Sequence, residues 1–169
     1  MYDLCVIMDA YVGTEGYTLP AGFIAKELTV IFPNTEYAHY LFAKPNDIVL
    51  TTQDEKTVRY ATRNLNSLNY ADGDIPYNQL GVILSRLEDF TIYTYSVIAS
   101  KLIQSYLPTT VVINTQDLGH KLPKELPDPN CFRLHRNYRY CAKAKAAEVK
   151  DFVENGQNSE NAAVQCVGL

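Results

Sequence analysis

The chain has 169 residues, 47% of them hydrophobic, enough for one core that buries roughly two thirds of the unfolded surface. A net charge of -4 and a pI near 5.3 exclude an overall basic nucleic-acid coat, although a local basic patch is compatible with them. No apolar run approaches the roughly 18 to 20 residues of a membrane span, and MYDLCVIMDAYVG has no export-signal pattern, so an intracellular protein, cytoplasmic or nuclear, is expected.

Tyr2 to Met8 is a short apolar run closed by Asp9, the pattern of a buried strand. The glycine-rich YVGTEGYTLPAG after it is expected to reverse the chain. Phe23 to Phe32, with β-branched and aromatic residues throughout, predicts a second strand, and Glu36 to Phe42 a third, which together make an antiparallel meander. A helix is predicted over 52–65, with Thr52 as N-cap, Glu55 three residues later, and Val58, Ala61 and Leu65 at helical spacing. Leu80, Ile83, Leu84 and Leu87 mark a second helix. Thr91–Tyr95 and Val111–Thr115 are strands around the helical VIASKLIQSYL, and two strands joined in this way should run parallel. A proline-rich loop leads to a last helix that starts near Cys141 and ends before Gly156. Residues 1–155 thus form one domain, and 156–169 are expected to fray.

Cys131, His135 and Cys141 place two thiols and one of three histidines inside CFRLHRNYRYC. In a reducing compartment such thiols stay free or bind metal, and thiolate and imidazole at these spacings suit zinc. The alternative is a buried thiol pair beside an unrelated histidine. A closed zinc site needs a fourth donor, and Glu27 in IAKELTVI is the informative candidate, because a lone carboxylate buried in an apolar strand is costly. Glu27 could otherwise be a solvent-facing edge residue beside Lys26, and His39 and His120 compete for the same role. Cys5 and Cys166 are taken as packing and tail residues.

The same stretch carries the strongest positive charge in an acidic chain: Arg133, Arg136, Arg139, Lys143 and Lys145, with Tyr138 and Tyr140 interleaved. Such a cluster is either a solvated face or a single-strand contact surface, with phosphates held by the cations and bases stacked on tyrosine.

The order of three strands, two helices, strand, helix, strand, helix resembles the ribonuclease H-like fold of the DEDD 3'-5' exonuclease family over residues 4–153. That resemblance implies an α/β domain with a mixed five-stranded sheet, a three-stranded meander plus two parallel strands, flanked by helices. NLNSLNYADGDIPYNQLGVIL is similar to the family's loop before its second helix, and CAKAKAA stands where an exonuclease has HxAxxDA. Such enzymes hold two metal ions with about four carboxylates. Here the first motif reads Asp9, Ala10, Tyr11, the fourth strand is followed by Ser96 and Ser100, and the last helix has Cys141 and Lys145 or Ala146 where the histidine and aspartate belong. Only Asp9 survives, so no catalytic set is carried over.

A narrower resemblance is to the Maelstrom domain, an exonuclease-like branch of the piRNA pathway with a Glu-Cys-His-Cys zinc constellation. It implies zinc held by Glu27, Cys131, His135 and Cys141, a clamp fastening the C-terminal third to the sheet. The function implied is an RNA or protein interaction module in RNA silencing or counter-defence. A metal-independent ribonuclease and a partner-binding structural protein are the alternatives.

Overall fold

Two faces of one strand organise the fold. In the computed structural model, which describes residues 8–131, 135 and 137–156, strand β1 (Asp9–Leu19) sends Ala10 and Val12 into one core and Tyr11 into another. Strand β2 (Gly22–Ile31) pairs antiparallel with β1, and β3 (Tyr37–Leu41) pairs antiparallel with β2. The short strands β4 (Thr91–Thr94) and β5 (Val112–Asn114) add in parallel on the other side of β1, giving the order β3-β2-β1-β4-β5. This is the ribonuclease H-like arrangement of meander and parallel strands expected from the sequence.

Among the described residues four α-helices flank the sheet: α1 (Thr52–Ala61), α2 (Leu80–Ser85), α3 (Val97–Tyr106) and α4 (Ala142–Gly156). Ala10, Val12, Leu28, Val30 and Ile92 pack with Leu80, Leu84 and Ile103 on one face. On the other face Tyr11, Ile31 and Tyr93 meet Ala146 and Val149 of α4. Among the described residues no helix is long and apolar enough to cross a membrane.

Three local expectations are corrected. YVGTEGYTLPAG reverses the chain only at its end: Asp9 opens β1, which runs through most of this segment to Leu19, and the turn comes at Pro20 and Ala21, next to Gly22 with its φ of 135°. The glycines of this strand serve close approach instead. A Cβ on Gly13 would lie 2.0 Å from the Ala142 carbonyl oxygen, so only hydrogen lets α4 sit directly on β1. The predicted strand over Tyr2 to Met8 falls almost wholly outside the described residues, as does the tail beyond 156.

The helical capping box is one residue earlier than predicted. Thr51 Oγ1 accepts from the Asp54 N–H at 3.1 Å while the Thr51 N–H donates to Asp54 Oδ2 at 3.0 Å. The α-helix ends at Ala61 and continues as a π-turn over Thr62–Asn66. Glu27 is not an edge residue either, because β2 is flanked on both sides and Glu27 is fully buried. Its neighbour Lys26 is equally buried on the opposite face, where Nζ donates to the carbonyls of Tyr70 and Asp72 at 2.7 Å and to that of Phe42. That ammonium pins the 66–75 loop to the sheet.

Candidate metal centre

Strand pairing places the first two donors. Glu27 is opposite Glu15 on β1 and Leu41 on β3, and His39 is opposite Thr29, so Glu27 and His39 are diagonal neighbours on the face that α4 covers. The third donor, Cys141, immediately precedes α4 and is fully buried. Cys131 and His135 come from the loop before it, and His135 Nδ1 donates to the Asn66 carbonyl oxygen at 3.1 Å. Because a carbonyl can only accept, Nδ1 of His135 carries a proton, and Nε2 is the ring nitrogen that faces the cluster.

The donor atoms of Cys131, His135 and Cys141 lie within 4.8 Å of one another, as do those of Glu27, His39 and Cys131. Cys131 belongs to both sets, so the five residues surround one region. Within it, Cys131 Sγ is 3.6 Å from His135 Nε2, and Glu27 Oε2 is 3.7 Å from Nε2 of both His135 and His39. Those N–O separations exceed a hydrogen bond. Donors placed about 2.0 to 2.3 Å from a tetrahedral ion stand about 3.3 to 3.8 Å from one another, so the measured separations fit the edges of such a cage.

The chemistry of the donors fits as well. Burial, and then the Glu27 carboxylate, push the Cys141 thiol well above its ordinary range, which a cation among the donors would reverse. Glu27 Oε1 accepts the Ala142 N–H at 2.6 Å, and Oε2 is the oxygen that stands 3.7 Å from Nε2 of His135 and of His39. The arrangement therefore offers thiol, imidazole and carboxylate donors, of which Glu27 and Cys141 are fully buried and Cys131 is partly exposed. Of the rivals for the fourth position, His39 is at the cluster and His120 is not. His120 is buried elsewhere, with Nδ1 2.7 Å from Thr115 Oγ1 and its ring stacked on Phe152 at 4.3 Å.

Among the described residues of the basic cluster, several side chains are already engaged within the fold. Lys143 Nζ sits 4.1 Å over the Tyr37 ring and donates to the Asn130 carbonyl at 3.2 Å. Lys145 ion-pairs with Glu15. Tyr138 is half-buried, edge-on to His135 and packed against the buried group of Leu126, Cys141 and Ala144. Arg139 and Tyr140 are half-buried. Arg133 and Arg136 lie outside the described residues.

Tyr140 and Lys145 face a different feature, a cleft of about 330 Å³ between β1, α1 and α3 that is also lined by Glu15, Tyr60 and Ser96. Burial raises the Glu15 carboxyl, and the Lys145 charge moderates the shift. An ammonium held on that carboxylate opposes a divalent ion at the same place. Ser96 and Ser100, the hydroxyls after β4, serve α3 itself: Ser96 Oγ accepts from the Ala99 N–H and Ser100 Oγ donates to the Ser96 carbonyl. Asp9 is six positions from Glu15 along β1, about 20 Å of extended strand, and therefore remote from the cleft end. There burial and then Glu154 raise its carboxyl.

Three contributors escape a reading of the sequence. Glu15 was hidden in a segment taken as a turn. The signal that could have found Thr29, whose hydroxyl is 2.6 Å from His39 Nδ1, is its place two residues from Glu27 on one strand face. The Asn66 carbonyl has no signal at all, being backbone. Compared with known proteins, the chain matches no protein-family model and no curated protein.

Proposed function

We propose that this chain is a zinc-clamped, Maelstrom-like domain that works as an interaction module for single-stranded RNA rather than by two-metal phosphoryl chemistry. The observation that carries the reading is the set of 3.6 and 3.7 Å separations linking Cys131, His135 and Glu27, with Cys141 beside them. Glu27, Cys131, His135 and Cys141 would hold the ion, and zinc suits a set of two thiolates, one imidazole and one carboxylate. The ion would fasten the loop after Asn130 and the start of α4 to β2. Lys145 on Glu15 supports the loss of exonuclease chemistry, since a cationic side chain fills the charge balance of that carboxylate.

Metal analysis tests the clamp. One zinc per purified chain is expected, and removal by a chelator should unfold the part beyond Asn130; less than about half an equivalent of zinc would overturn the reading. Labelled single-stranded RNA tests the module, with salt-sensitive binding expected to weaken when Arg139 and Tyr140 are changed to alanine. Trimming from the 3' end that requires magnesium would overturn the non-catalytic assignment.

The cleft favours a second reading, a metal-independent ribonuclease. It sets a buried carboxyl of raised pKa beside an ammonium and a tyrosine, groups suited to moving protons. RNA shortened equally with and without EDTA, and left intact by a Glu15→Gln variant, would select it.

A further inference from the structure

We propose that His39 is a fifth donor of the metal centre, one that takes the coordination position of Cys141 so that the ion stays on the sheet when Cys141 leaves. This rests on the zinc reading above and concerns which residues share the ion.

His39 is aimed at the centre by the sheet itself. Its pairing with Thr29 puts it on the same face as Glu27, one diagonal step away. The Thr29 hydroxyl, fully buried and 2.6 Å from Nδ1, fixes the ring. With Nδ1 engaged by that hydroxyl, Nε2 is the ring nitrogen turned inward, as it is in His135, whose Nδ1 is engaged by the Asn66 carbonyl. The distances agree: His39 Nε2 and His135 Nε2 each stand 3.7 Å from Glu27 Oε2, too long for a hydrogen bond and right for two ligands of one ion.

Zinc in a closed site takes four donors, and five are present. His39 and Cys141 are the two that approach from opposite origins. His39 belongs to the sheet, grouped with Glu27 and Cys131, whereas Cys141 belongs to the entry of α4, grouped with Cys131 and His135. Exchanging one for the other converts a clamp that includes α4 into one borne by β2, β3 and the loop. The metal then remains bound while the start of α4 is released from it.

Cobalt(II) titration of wild type and variants tests this, because the near-ultraviolet charge-transfer band counts thiolate ligands and the visible bands report four-coordination. Wild type should give a two-thiolate spectrum at one equivalent. Cys141→Ser should still bind one equivalent, with the charge-transfer band about halved and the visible bands retained. His39→Ala should weaken binding less than about tenfold in wild type but about 100-fold or more in Cys141→Ser. Equal effects of His39→Ala in the two backgrounds would overturn the proposal while leaving the zinc reading standing, whereas no binding by wild type would overturn both. Should Cys141→Ser fail to fold, Cys141→Ala and long-range nitrogen spectra of the histidines replace it. A metal-bound shift at His39 Nε2 in cadmium-loaded Cys141→Ala is expected, and its absence there would refute the exchange.

Discussion

Glu15 and Glu27 face each other across β1 and β2, and α4 answers both, with Lys145 ion-paired to Glu15 and the Ala142 N–H donated to Glu27 Oε1 at 2.6 Å. Two carboxylates directly opposite on antiparallel strands repel. The last helix neutralises one and caps itself on the other, so its docking and the state of the two acids are one problem.

Removing Lys145 should therefore leave Glu15 buried and uncompensated. Breaking a buried pair costs about 3 to 5 kcal/mol, and the low end applies because the Lys145 side chain keeps 19% of its exposure. Urea unfolding of Lys145→Met should show that loss, and Glu15→Gln added to it should recover most of it. A double variant no more stable than Lys145→Met would show that the ion pair is not what holds this part of α4.

Glu27 should separate capping from ligation. Glu27→Gln keeps an oxygen for the Ala142 N–H and removes the charge, so in chelator its stability should match or exceed wild type, since a buried carboxylate is costly. Its metal affinity should fall about tenfold or more. Glu27→Ala also loses the cap, worth about 1 to 2 kcal/mol in chelator. Urea curves with and without zinc read both, and equal metal affinity for wild type and Glu27→Gln would remove Glu27 from the ligand set.

The sequence made Glu27 legible because a carboxylate between Ala25 and Thr29 interrupts an otherwise apolar strand, and burial in the fold requires a reason for it. Cys131, His135 and Cys141 were legible through their spacing together with the resemblance to a Glu-Cys-His-Cys zinc constellation. β2, β4 and β5 were readable because β-branched and aromatic runs of strand length have few alternatives. β1 was not, because Gly13 and Gly16 are turn residues by composition, and only the arrival of α4 about 130 residues later shows why Gly13 is needed in a strand. Misreading β1 also hid Glu15, and with it the partner that takes Lys145 out of the basic cluster. Positive charge counted along a sequence says nothing of which charges the fold has already engaged.

His120 should make stability depend on mildly acidic pH. Burial lowers its pKa below the ordinary 6.5; Thr115, Tyr95 and Phe152 surround it, and Glu148 Oε1 lies 4.0 Å from Nε2. Between that lowered pKa and 6.5 the unfolded chain binds the proton more tightly, so stability is full above about pH 6.5 and falls as pH falls through the window. Glu148 acts oppositely: burial, and then Asp151, raise its carboxyl, which favours the folded state as pH falls toward the unfolded carboxyl value. Comparing Tm against pH for wild type and His120→Phe, which keeps the stacking on Phe152, isolates the histidine. The variant should lose the decline below about pH 6.5, and parallel curves would assign that decline elsewhere.

Gly13→Ala tests the closest approach in the fold. The added Cβ would meet backbone on α4, the Ala142 carbonyl oxygen at 2.0 Å and the Ala146 nitrogen at 2.8 Å, and neither can turn aside as a side chain would. The helix must lift from β1, which should cost about 3 kcal/mol, the upper end of overpacking effects. Lifting it draws the Ala142 N–H away from Glu27 and Cys141 away from Cys131 and His135, so metal affinity should fall with stability although residue 13 touches no donor. Urea unfolding and cobalt titration of the one variant should therefore both move. A loss of stability with unchanged metal affinity would mean that the α4 entry and the metal centre are mechanically separate, and that Cys141 is held by its loop rather than by its helix.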